Sequence, residues 1–179
     1  IGNSTKGQRD KFTRVLKGHI ALASSKFKKN TKGYALDFLA RKSLLAIGCD
    51  YDHGTGHGVG SFLSVHEGPQ RITKSKRLSN TEIKEGMILS NEPGYYKKNN
   101  YGIRIENLIV AKKHSSTYLC FETISWAPID INLIDISLLT SKELKWLNWY
   151  HHQVFCKLSD KLNNKEKKWF YKITQPLIK

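Results

Sequence analysis

The sequence predicts an α+β fold, and three observations carry that prediction. Two stretches of helical period open the chain, a run of alternating and glycine-punctuated segments fills its middle, and capped helical segments close it. At 179 residues the chain is long enough for one domain with a real core plus a small appendage.

Thr5 is placed to cap a first helix over Lys6–Lys26, in which Phe12, Val15, Leu16, Ile20 and Leu22 form an apolar stripe. Lys29–Gly33 reads as a loop. A second helix fits Ala35–Ile47, with Leu36, Leu39, Ala40 and Leu44 on one side and Gly48 as its stop. Glycines at 54, 56, 58 and 60 then exclude a helix. His53 and His57 are therefore not stacked on a helix, despite being four apart. Phe62–His66 reads as a strand ended by Gly68-Pro69, and Arg71–Gly86 as a polar loop. Met87–Ser90 is a short apolar strand that delivers Glu92 just before a Pro93-Gly94 turn. Tyr101–Ala111 is expected to be one strand, with Ile103 and Ile105 on one face and Arg104 and Glu106 on the other. Lys112–Ser116 is a turn and Thr117–Ile124 the second arm of a hairpin. After Trp126-Ala127-Pro128 the character changes. Thr140-Ser141-Lys142-Glu143 is a capping-box pattern opening a helix to about Leu158, and Lys165–Ile173 is a last helical stretch.

Composition bounds the function. No run of 18 apolar residues exists, so no membrane span is expected, and the polar start lacks the apolar core of a signal peptide. The chain begins with Ile1 and its one methionine is Met87, so a piece of a longer chain is expected. Cys49, Cys120 and Cys156 are far apart and form no CxxC pair; free thiols in a reducing cytoplasm are expected rather than a cysteine zinc site. The net charge is +15, but 24 of the 30 basic residues are scattered lysines, which points to a solvated surface and not to a specific nucleic-acid groove.

Chemistry concentrates in two segments. HGTGHGVG with VHEGP holds His53, His57 and His66; SNEPGYY with GIRIEN holds Glu92, Arg104 and Glu106. Three imidazoles and two carboxylates on glycine-rich loops and strands are the donors of a hydrolytic metal site. His57 is the leading metal-ligand candidate, although taken singly it also fits a loop histidine bonded to backbone. Glu92 taken singly fits a surface carboxylate beside a turn. Glu106, placed mid-strand in an apolar run, needs a compensating charge. Either a salt bridge to Arg104 or a metal with Arg104 behind it supplies one. His53 and His66 are candidates for substrate binding or proton transfer. His19, His114, His151 and His152 are assigned no role; Tyr95 and Tyr96, which follow the Glu92 turn, fit either a cleft lining or packing, with packing the favoured use.

These blocks, HGTGHGVGSFLSVHEGP, MILSNEPGYY and YGIRIEN, resemble the active-site motifs of Xaa-Pro aminopeptidases of the P type, within the pita-bread (creatinase and methionine-aminopeptidase-like) metallopeptidases. FTRVLKGHIALA resembles the helix after the family's first metal motif, and LIDISLLTSKELKWLNWYH the C-terminal extension of the P type. The resemblance implies a pita-bread half-domain over residues 1–125 and a helical C-terminal extension over 126–179. It implies release of an N-terminal residue that precedes proline, at a site of two divalent ions, usually manganese, with zinc or cobalt as alternatives. Carried over residue by residue, His57, Glu92 and Glu106 are metal ligands and Arg104 steadies the carboxylates. His53 contacts substrate near the scissile carbonyl, and His66 stabilises the intermediate or relays a proton.

The family draws two further ligands from an aspartate pair upstream of the first helix. Asp10, Asp37, Asp50 and Asp52 do not form that motif. The expected partners are thus peptides with proline second, the missing N-terminal half in cis or in trans, and a second copy in a homodimer. The expected location is the cytoplasm. The alternative from another class is a non-catalytic pita-bread remnant that binds peptide or protein.

Overall fold

In the computed structural model, residues 2–62 and 64–179 are described. The chain divides into two compact units: Val15–Ser125, and residues up to Arg14 together with Trp126–Lys179.

Helix α1 (Lys6–Ala23) starts as expected. The Thr5 hydroxyl accepts from the Gln8 N–H, and the Gln8 side chain accepts from the Thr5 N–H. It ends three residues short of Lys26 because the chain turns into a short strand β1 (Lys26–Lys28) that buries Phe27. Helix α2 (Tyr34–Leu45) is followed by Gly48 at φ +68°, the left-handed conformation that stops a helix cheaply only at glycine. The two helices meet at a glycine: a Cβ on Gly18 would lie 2.0 Å from the Ala40 carbonyl oxygen.

The larger sheet has the order β1-β8-β7-β4, all antiparallel, with β4 at Ile88–Asn91, β7 at Asn107–Lys113 and β8 at Tyr118–Thr123. Its inner face and the helices enclose Leu22, Leu36, Ala40, Leu89, Ile109 and Leu119 in one core. The β7–β8 hairpin is the one expected. A two-stranded pair, β2 (Gly56–His57) with β3 (Arg71–Ile72), holds the glycine-rich segment. A Cβ on Gly56 would sit 2.1 Å from the Ser90 carbonyl oxygen, so only glycine lets this segment lie against β4.

Four expectations fail here. The described residues of Phe62–His66 form bends, not a strand, and Phe62 is exposed; Leu63 lies outside the described residues. Arg71–Ile72, expected in a loop, is strand β3. Tyr101–Ala111 is not one strand: it divides into β6 (Tyr101–Arg104) and β7, while Pro93-Gly94 is not a turn but a junction between β4 and β5 (Gly94–Lys97). Strands β5 and β6 form their own antiparallel pair. Both strands are interrupted at one level, because Pro93 accepts from the Ile105 N–H at 3.3 Å but has no N–H to return the bond. The register is unbroken across the gap: Asn91 pairs with Asn107 before it and Gly94 with Arg104 after it.

In the second unit, Asp130 and Asp135 cap two short 3-10 turns. Helix α3 (Ser141–Leu158) carries the expected capping box between Thr140 and Glu143. Helix α4 (Asn164–Ile173) carries a second box, Asn163 with Glu166, that the sequence reading overlooked. No helix among the described residues is long and apolar enough to cross a membrane.

Candidate metal centre

The unbroken register puts Glu92 opposite Glu106 across the gap between β4–β5 and β6–β7. Like charges directly opposite on neighbouring strands repel. The surroundings supply what offsets them. His57 on β2 brings its Nε2 to 3.2 Å from Glu92 Oε1, and Arg104 brings a guanidinium nitrogen to 3.1 Å from Glu92 Oε2. One donor atom from each of His57, Glu92 and Glu106 lies within 4.8 Å of the others.

Hydrogen bonds fix these groups. His57 Nδ1 is 2.9 Å from the Gly58 carbonyl oxygen, which only accepts, so Nδ1 is the donor there and Nε2 is the ring atom turned to Glu92. The Ser90 hydroxyl donates to Glu92 Oε1 at 2.9 Å and accepts from the His57 N–H at 3.0 Å, tying the two ligand candidates to one side chain. A lone pair and a carboxylate oxygen at 3.2 Å attract only if a proton or a cation lies between them. The donor set, one imidazole and two carboxylates with His57 and Glu92 fixed by outer bonds, fits a divalent cation.

Glu106 differs from expectation in one respect. It is exposed and stands at the strand break, not inside an apolar run, so burial does not demand a counter-charge. The ion pair of Arg104 runs to Glu92 instead. Burial pulls the Arg104 pKa down. The hydrogen bond to Tyr96 and the nearby charges of Tyr96, Glu92 and Glu106 outweigh that and raise it.

His53 stands on the loop beside the same cleft. Its Nδ1 donates to the Gly54 carbonyl oxygen at 2.8 Å, its Nε2 accepts from the Tyr96 hydroxyl at 2.9 Å, and that hydroxyl accepts from Arg104 Nε at 2.9 Å. The hydrogen bonds thus run in one direction from Arg104 to His53. The His66 ring is exposed, with its centroid 4.3 Å from that of His57. A cleft of about 290 Å³ is lined by His53, His57, His66, Arg71, Glu92 and Arg104. All six candidate residues therefore converge on one place.

Two features escaped the sequence reading. Tyr96 is a polar bridge and not packing. The loop carrying His53 is clamped from α2 by Arg41, which is 3% exposed. Arg41 bonds Asp37 at 2.6 Å, Asp50 at 2.6 Å, the Tyr51 carbonyl at 2.6 Å and the His53 carbonyl at 2.8 Å. The Thr55 hydroxyl completes the set by donating to Asp37 at 2.6 Å. Burial lowers the Arg41 pKa, but the hydrogen bonds and charges of Asp37, Tyr51 and Asp50 raise it further. Asp37 and Arg41 are four apart on a helix, a spacing legible in the sequence; that the pair is buried is not.

One imidazole and two carboxylates gathered in a cleft define a candidate metal site, and comparison with known proteins gives the family. The model of metallopeptidase family M24 matches residues 1–113, and that of the C-terminal region of the same peptidases matches residues 117–177. The chain belongs to metallopeptidase family M24. It is 49% identical over 175 residues to a probable Xaa-Pro aminopeptidase P of Coprinopsis cinerea, covering 93% of this chain. It is 42% identical over 184 residues to aminopeptidase P1 of Arabidopsis thaliana, covering 99%. In both cases it spans 28% of the relative's own length. The X-prolyl aminopeptidase of Caenorhabditis elegans, described as a cytosolic enzyme with a di-nuclear active site, superposes with a TM-score of 0.90. That match is 38% identical and covers 98% of this chain and 30% of that one. The Xaa-Pro dipeptidase of Bacillus anthracis follows at a TM-score of 0.62 and 26% identity, covering 73% of this chain and 34% of that one. The fold is the pita-bread fold of this family.

Proposed function

We propose that this chain is the C-terminal part of a manganese-dependent Xaa-Pro aminopeptidase, which releases the N-terminal residue of peptides with proline in second position. The observation that carries the reading is the opposition of Glu92 and Glu106 at a shared strand break, with His57 within 4.8 Å. The relatives' names supply the substrate class, and the di-nuclear site printed for the nematode enzyme supports two ions.

In this reading His57, Glu92 and Glu106 would hold divalent cations, which would supply a water of lowered pKa and Lewis-acid polarisation of the scissile carbonyl. Two further aspartates come from the upstream half, in the same polypeptide or in a separate one. Arg104 holds Glu92 in place and, through Tyr96, orients the His53 ring so that its face is offered to substrate. His66, exposed on the cleft rim, is free to meet the scissile carbonyl or pass a proton. The cytosolic setting of the nematode enzyme supports a cytoplasmic location.

The test is hydrolysis of an Xaa-Pro-Pro tripeptide with added manganese, by the chain alone and mixed with a polypeptide carrying the upstream aspartates. Activity on mixing, abolished by His57→Ala and by Glu106→Gln, is the expected result. No activity from a folded mixture would move the assignment to a non-catalytic peptide-binding module.

A further inference from the structure

The face of the ladder opposite the cleft carries a second matched pair. Side chains alternate across a strand, so Asn91 and Asn107, one residue from Glu92 and Glu106, point away from the carboxylates. They are direct register partners and both are buried, at 0% and 4% exposure. Facing them from helix α1 is His19, fully buried. Its imidazole faces the side chain of Asn107 and the backbone of Asn91 and Ile105. Its own carbonyl oxygen accepts from Asn91 Nδ2 at 3.0 Å, and Asn107 Nδ2 is bonded at 2.8 Å to the Ser125 carbonyl. Helix α1 is itself seated beside this point by the close approach of Gly18 to Ala40, one residue from the Arg41 clamp.

We propose that His19 is a positioning residue for the metal centre: with Asn91 and Asn107 it sets the separation of Glu92 and Glu106 from the far side of the ladder. The physical need is local. The ladder is thinned at this level: the Ile105 N–H donates to the Pro93 carbonyl at 3.3 Å, but Pro93 has no N–H to return the bond, so half of the rung beside the two carboxylates is missing. Like charges push them apart. One imidazole set against the residue before Glu92 and both residues flanking Glu106 supplements that half-formed rung. Groups that orient metal ligands tune affinity roughly ten- to hundredfold, and an effect of that order is the expectation for His19.

The inference rests on the metal-centre reading, and the experiment separates the two. Mn2+ binding to the 179-residue chain is measured by electron paramagnetic resonance of the free ion, with circular dichroism recorded on each sample. Loss of binding in His57→Ala establishes the centre. His19→Leu is then expected to weaken Mn2+ binding roughly ten- to hundredfold at a temperature where its dichroism matches wild type. His19→Gln, which keeps a hydrogen-bonding side chain, is expected to recover part of the loss. Leu119→Ala, in the main core and paired with the end of β7 far from Asn107, controls for loss of stability and is expected to bind as wild type. If His19→Leu does not fold, Asn107→Ala reads the same coupling. Wild-type affinity in a folded His19→Leu, or in Asn107→Ala where that stands in, overturns the proposal. So does a loss of equal size in Leu119→Ala. A folded wild-type chain that takes up no Mn2+ overturns the metal centre and the inference with it.

Discussion

Arg41→Met removes the clamp under the His53 loop and is the most informative single test of the fold around the site. The guanidinium is 3% exposed, bonds two carboxylates and two backbone carbonyls, and stacks 3.8 Å from the Tyr51 ring centre. Methionine keeps much of the apolar stem but leaves Asp37, also 3% exposed, with the Thr55 hydroxyl as its remaining donor. Removing one partner of a buried ion pair costs about 3–5 kcal/mol, because the other charge stays behind unpaired. Against a total stability of about 5–15 kcal/mol, that is a large share. The expected result in urea denaturation followed by circular dichroism is a midpoint shift of that size with little change in slope. The double variant Asp37→Asn/Arg41→Met deletes both charges and keeps an acceptor for Thr55. It is expected to recover part of the loss but not all, since the Tyr51 and His53 carbonyls still lack their donor. A single variant within about 1 kcal/mol of wild type, below the range expected for a broken buried pair, would refute the reasoning. A double variant no more stable than the single would show that the Asp37 charge is not the cost.

Further outcomes concern both units. Gly18→Ala places a Cβ 2.0 Å from the Ala40 carbonyl and is expected to cost about 1–3 kcal/mol by overpacking, read as a lowered melting temperature. Thr140→Ala breaks the capping box of α3 and is expected to cost about 1 kcal/mol. His151 is buried, its Nε2 accepts from the Ile129 N–H, and burial pushes its pKa down to about 4 from 6.5. The unfolded chain therefore binds this proton more tightly than the folded one. The stability that neutral His151 protects is fully present above pH 6.5 and is lost as pH falls towards about 4. The full effect is on the order of 3 kcal/mol. His151→Gln, measured across that window, is expected to flatten the decline; an unchanged slope would assign it to other groups.

Much of the site was legible from residue order alone. The glycines at 54, 56, 58 and 60 excluded a helix, so His53 and His57 were read on loop and strand, where they are. Thr5, Gly48 and Thr140 marked helix ends because capping and left-handed backbone are local chemistry. Alternation misled at Tyr101–Ala111: the pattern continues through Glu106, but the partner chain contains Pro93, and a strand cannot continue where its partner has left the ladder. The two-residue strand β3 was invisible because so short an element exists only through its pairing with Gly56 and His57.

The division follows from the range of the forces. By itself the sequence determined the helices with their caps, the glycine-rich loop, the β7–β8 hairpin and the inventory of donors, since each depends on residues a few positions apart. Only the tertiary structure decided that Glu92 faces Glu106, that Ser90 ties Glu92 to His57, that Arg41 holds the His53 loop and that His19 lies beneath Asn91 and Asn107. Those relations come from strand register and from burial. Both are set by packing among segments tens of residues apart, and no local pattern of side chains encodes which two carboxylates will meet.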